Sequence, residues 1–181
     1  LRPEGPYLLC GICSGAVIAF EMAQQLRAQG QGVPFLAMVD PSPNQEQRLE
    51  TYFRIGRSGV RRFGRRVGHH AQEVAQQESA DQGAYLRLRM KVVANWWAVV
   101  RYAPRSYPGR IELFLTEASF RSPRNWQQQW RNYALEGAEL HQIPGDHAAI
   151  VGLDETTIEE AHIRVLAENM AVCIDRALSD G

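Results

Sequence analysis

The sequence predicts an α/β fold in which a mostly parallel sheet is flanked by helices and interrupted by a helical insertion. Three observations carry that expectation. Tyr7–Ile12 (YLLCGI) is an unbroken apolar run that passes through a glycine-flanked turn into a helix. Val33–Asp40 (VPFLAMVD) is a second such run, closing a strand–helix–strand unit that demands a right-handed crossover. After a long interval, Arg110–Glu117 (RIELFLTE) and Glu139–Ile143 restore the strand pattern, each followed by helical periodicity.

Taken in order, Tyr7–Ile12 has no polar alternation, the pattern of a strand buried on both faces. Ala16, Val17, Ala19, Phe20, Ala23 and Leu26 then recur at helical spacing, and Gly30 supplies the stop. Val33–Asp40 ends at the breaker Pro41-Ser42-Pro43. Residues 45–104 contain no convincing strand and read as two or three helices, over 45–57, a basic stretch around 60–77, and 80–101. The turn Pro108-Gly109 precedes the third strand, a helix over 124–135 follows it, and the loop Pro144-Gly145-Asp146-His147 follows the fourth. A last helix spans about Thr157 to Leu178. A first strand apolar on both faces needs covering neighbours. The expectation is therefore a single, N-terminally incomplete domain over 1–181 whose first strands are missing.

Composition narrows the function. The 181 residues suffice for one domain with a real core. Twenty basic residues balance twenty acidic ones, so bulk charge favours neither nucleic acid nor membrane as partner. No apolar run reaches the roughly 18 residues that cross a bilayer. Cys10, Cys13 and Cys173 are too few and too odd for a disulfide framework, which fits a cytoplasmic protein.

The chemistry concentrates at Gly11-Ile12-Cys13-Ser14-Gly15. A Gly-x-nucleophile-x-Gly turn between strand and helix lifts the central side chain above the sheet edge. Cys13 holds that centre, whereas Ser14 is out of frame. Backbone N–H groups and the helix dipole at this point favour a thiolate. A nucleophile needs a base, and the base an orienting acid. His147 follows a strand in the right chain order. Asp40, at the end of the strand after the nucleophile helix, is the preferred acid, and Glu117, at the end of the next strand, is the alternative. The order nucleophile, acid, histidine agrees with the α/β-hydrolase pattern.

The segments GPYLLCGICSGAVIAFEMAQQL, VDPS, YPGRIELFLTE and IPGDH resemble the thioesterase domains that terminate nonribosomal peptide and polyketide synthase modules. The resemblance runs from Gly5 to the last helix. It implies Cys13 as nucleophile, Asp40 as acid, His147 as base and the Ser14 backbone as an oxyanion-hole donor. It also implies a lid over about 45–104 and an acyl or peptidyl carrier protein as partner, in the same polypeptide or complex. No cofactor is then bound, the substrate riding on the carrier's phosphopantetheine arm. Cysteine stands where the family usually has serine, and Cys10 and Ala16 stand where glycine is frequent.

Other features carry competing readings. Cys10-Gly-Ile-Cys13 is a CxxC before a helix, as in thiol redox proteins, but that leaves His147 and the helical insertion unexplained. A non-catalytic acyl- or carrier-binding remnant is the other alternative. No metal site is expected, since there is no second cysteine pair and His69-His70 falls in a surface helix. His141 and His162 read as structural. Six arginines between Arg54 and Arg66 fit a solvated helix face or a landing site for an acidic carrier. Trp96 and Trp97 line the acyl channel or pack the lid.

Overall fold

A computed structural model describes residues 4–41, 101–121, 126–147, 150 and 160–179, together with 90, 91, 94 and 98. The chain divides into two compact units, Leu1–Ser42 with Pro104–Gly181, and Pro43–Ala103. In the second unit, Met90, Lys91, Ala94, Ala98 and Arg101 are helical and solvent-exposed. The Tyr102 N–H donates to the Ala98 carbonyl at 3.0 Å, continuing the helical ladder. The arginine-rich stretch, His69-His70, Trp96 and Trp97 lie outside the described residues, as does most of the expected lid.

The first unit is a four-stranded parallel sheet in the order β1 (Leu8–Ile12), β2 (Phe35–Val39), β3 (Ile111–Thr116), β4 (Ala138–Ile143). Its helices are α1 (Ser14–Ala28), the short α2 (Glu117–Phe120), α3 (Trp126–Tyr133) and α4 (Glu160–Ser179). Strands β2 and β3 are buried at every position, which is why both read as continuous apolar runs. Among the described residues no helix is long and apolar enough to cross a membrane.

Strand β1 departs from the sequence expectation. It is not buried on both faces: no described strand pairs with its outer edge, and Leu8, Cys10 and Ile12 are exposed. These three stand in register with Phe35, Ala37 and Val39, whose side chains belong to the core under α4. The helix α4 packs on β2 and β4. Strand β3 also ends one residue earlier than its apolar pattern suggests. Thr116 turns to cap α2, its hydroxyl accepting from the Ser119 N–H at 3.2 Å, and Glu117 becomes helical.

Each sheet face has its own core. On one, Phe20 of α1 lies 5.7 Å from the Tyr107 ring and 5.4 Å from the Trp130 ring, edge to face with the latter. On the other, Phe35, Val39, Phe114 and Ile143 meet Leu166 and Cys173 of α4. Burying side chains of this size contributes about 1.5–3 kcal/mol each. The sheet is thereby held as a rigid platform, and its strand ends can place loop residues reproducibly.

Candidate active site

The β1–α1 turn is strained at the residue the sequence singles out. Cys13 has φ 55° and ψ −118°, a region a non-glycine residue enters only where its surroundings enforce it. Its N–H donates to the Val39 carbonyl at 2.9 Å, tying the turn to the end of β2. The two flanking glycines are not equivalent. A Cβ on Gly11 would meet the Gly15 carbonyl oxygen at 2.2 Å and the Ala16 nitrogen at 2.6 Å, so strand and helix could not approach. A Cβ on Gly15 would meet nothing within 4 Å. Ser14 opens α1, so its N–H belongs to the helical first turn, which has no intrahelical acceptor.

Asp40 follows β2 and is buried, its backbone at φ 42° and its N–H bonded to the Phe114 carbonyl at 2.7 Å. One carboxylate oxygen, Oδ1, accepts from the Thr116 hydroxyl at 3.2 Å and the Thr116 N–H at 3.4 Å. The other, Oδ2, faces His147 Nδ1 at 2.6 Å. Burial by itself acts to raise the Asp40 pKa. Hydrogen bonds from His147 and Ser119, the nearby imidazole charge and the Thr116 N–H outweigh it, so the carboxyl titrates below its usual range.

His147 follows the short loop after β4, at a helical residue, with its side chain 37% exposed. Its pKa is raised from 6.5 to about 10, first by the Asp40 hydrogen bond and next by a side-chain hydrogen bond with Cys13, with burial opposing both. Since Nδ1 is taken by Asp40, Nε2 is the ring nitrogen left for the thiol. The structure thus brings Cys13, His147 and Asp40 together. Glu117, the alternative acid, instead forms an exposed ion pair with Arg121 one helical turn away.

The geometry also bears on the CxxC reading. Cys10 lies inside β1, in register with Ala37, rather than at the helix start, and desolvation pushes its thiol pKa up. That is the opposite of redox activation. Thr116 and Ser119, which hold Asp40, were not singled out by the sequence. Their only local signal is a Thr-x-x-Ser capping pattern at the end of a strand.

Residues 1–164 match a family model described as the thioesterase domain. The nonribosomal peptide synthetase apvA of Aspergillus terreus is 23% identical over 186 residues, covering 84% of this chain and 20% of its own length. Aspulvinone E synthetase melA, from the same species, is 25% identical over 184 residues, covering 83% of this chain and 20% of its own. The chain spans about a fifth of the length of these relatives. Among solved structures, the NocB thioesterase domain from the nocardicin cluster superposes with a TM-score of 0.61 at 26% identity, covering 98% of this chain and 67% of that one. The SrfTE thioesterase domain, which cyclises the lipopeptide surfactin, gives 0.58 at 23% identity, covering 93% and 70%. The parallel sheet with flanking helices is an α/β-hydrolase fold.

Proposed function

The chain belongs to the thioesterase-domain family, and from that premise we propose that it releases an acyl or peptidyl chain from a carrier protein's phosphopantetheine arm through an acyl-cysteine on Cys13. The observation that carries this reading is the run of contacts from Asp40 to His147 and from His147 to Cys13, just beyond the C-terminal ends of their strands. In it a buried carboxylate orients a base, and the base faces a thiol on a strained turn.

With its pKa near 10, His147 is an imidazolium at neutral pH, and a cation beside a thiol favours the thiolate. The thiolate attacks the carrier-bound thioester carbonyl, forming a new S–C bond. The resulting oxyanion lies at the N-terminus of α1, accepting from the Ser14 N–H. As the carrier thiolate departs, the imidazolium returns a proton to it. His147 then removes a proton from water, or from a hydroxyl or amine of the substrate, as that nucleophile attacks the acyl-cysteine and frees Cys13. Both the substrate and the intermediate are thioesters, so the first half is an exchange between near equals. Cysteine in place of serine keeps the acyl group activated for hydrolysis or cyclisation.

Intact-mass spectrometry after incubation with an acyl-loaded carrier tests this. Wild-type protein gains the acyl mass, Cys13→Ser gains it as a longer-lived ester, and Cys13→Ala does not gain it. Undiminished acyl loading of Cys13→Ala rules the mechanism out.

A further inference from the structure

A second cysteine, histidine and carboxylate meet on a face of the sheet, away from the C-terminal strand ends that carry Cys13, Asp40 and His147. Glu112 of β3, His141 of β4 and Cys173 of α4 come from three elements and face one another on the α4 side of the sheet. His141 Nε2 lies 2.7 Å from Glu112 Oε2 and 3.6 Å from Cys173 Sγ. All three donor atoms are within 4.8 Å of one another. Both partners reach the same ring nitrogen, so the set cannot pass a proton from thiol to acid through the imidazole. Convergence on one point is instead the geometry of metal ligands.

We propose that Glu112, His141 and Cys173 form a binding site for a first-row divalent cation of zinc type. Nitrogen, oxygen and sulfur donors suit such an ion at about 2.0–2.3 Å. The carboxylate is already oriented from behind. Glu112 Oε1 accepts from Arg176 at 3.1 Å and pairs with Arg110 at 3.2 Å, which leaves Oε2 turned toward the histidine. Support of this sort is what metal-ligating carboxylates receive from surrounding groups. The Phe114 ring, stacked on His141 with centroids 4.6 Å apart, fixes the imidazole plane.

The charges and protons also balance. Glu139 pairs with both Arg110 and Arg176, so the two arginines are matched by two carboxylates before any ion enters. The thiol proton leaves for solvent as sulfur binds the cation, and the imidazole proton that Nε2 donates to Glu112 is exchanged through solvent onto Nδ1, baring Nε2 for the ion. The net gain is one positive charge at a site where His141 is still partly exposed, so an ion has a route in. The three ligands are scattered through the sequence with no local spacing, which hides the site from motif reading.

Cobalt(II) is the probe. The chain is first changed at Cys10→Ala and Cys13→Ala, so that Cys173 is the one thiol left. Titration is expected to produce a sulfur-to-cobalt charge-transfer band saturating at one equivalent and displaced by zinc. Adding Cys173→Ser abolishes the band, and His141→Gln weakens cobalt binding by at least about tenfold, the cost of even an outer-shell change. Circular dichroism confirms that each variant is folded. Absence of the band in the folded parent, or its persistence in the folded Cys173→Ser variant, overturns the site.

Discussion

The two cysteine–histidine–carboxylate sets use the same three side-chain types and differ in which nitrogen does what. In the first, Asp40 takes His147 Nδ1, leaving the opposite side of the ring for Cys13. In the second, Glu112 and Cys173 both approach Nε2 of His141. The first stands on strained turns at the strand ends, beside a helix N-terminus. The second lies across the sheet face beneath α4, with two arginines on its carboxylate. Residue types therefore do not define a proton path. The path needs opposite ring nitrogens and a place where substrate can enter.

The sharpest way to break this contrast is to exchange the thiols. Cys13→Ala is expected to lower kcat/KM by about 10⁴-fold or more, while Cys173→Ser stays within about threefold of wild type. Comparable losses in both would erase the distinction. The acids should separate nearly as far. Asp40→Asn should cost about 10³–10⁴-fold and let His147 titrate back toward 6.5 in an NMR pH series. Glu112→Gln should leave that titration in place and cost about 1 kcal/mol of stability in urea unfolding, because its arginine partners are 48% and 40% exposed.

A smaller effect concerns pH. The His147 pKa is raised on folding, so the native state binds more protons than the unfolded chain between about 6.5 and 10. That contribution is complete below 6.5 and disappears as pH rises through 10. Asp40 behaves oppositely, contributing above the unfolded carboxylate range and losing its contribution as acid protonates it. Denaturant midpoints measured from pH 6 to 10.5 should fall less in His147→Gln than in wild type. Smallest is Thr116→Val, which removes one hydroxyl from Asp40. It should cost about 1 kcal/mol and a few-fold in kcat, measured by unfolding and turnover.

Local signals carried much of this into the sequence. Gly11-x-Cys13 marked the turn because strand, nucleophile and helix are contiguous, and the buried strands β2 and β3 announced themselves by composition. The structure adds that Gly11 alone of the two glycines is demanded by close approach. Asp40 and Glu117 both fit the chain order, so the preference for Asp40 rested on the family resemblance, and the hydrogen bond to His147 bears on the choice directly. What could not be read depends on register between distant segments. Thr116 meets Asp40 across 76 residues, and Glu112 meets Arg176 across 64. The apolar run of β1 did ask for a covering neighbour, and no described strand pairs with its outer edge.

That open strand has a colloidal consequence. Among the described residues, Leu8, Cys10 and Ile12 combine an edge that no strand pairs with and exposed apolar side chains, a template on which one copy can zip to another. Purified alone, this chain should scatter more light as it is concentrated. Leu8, 42% exposed and farther along the strand from the Cys13 turn, is a position where a single lysine should keep copies apart.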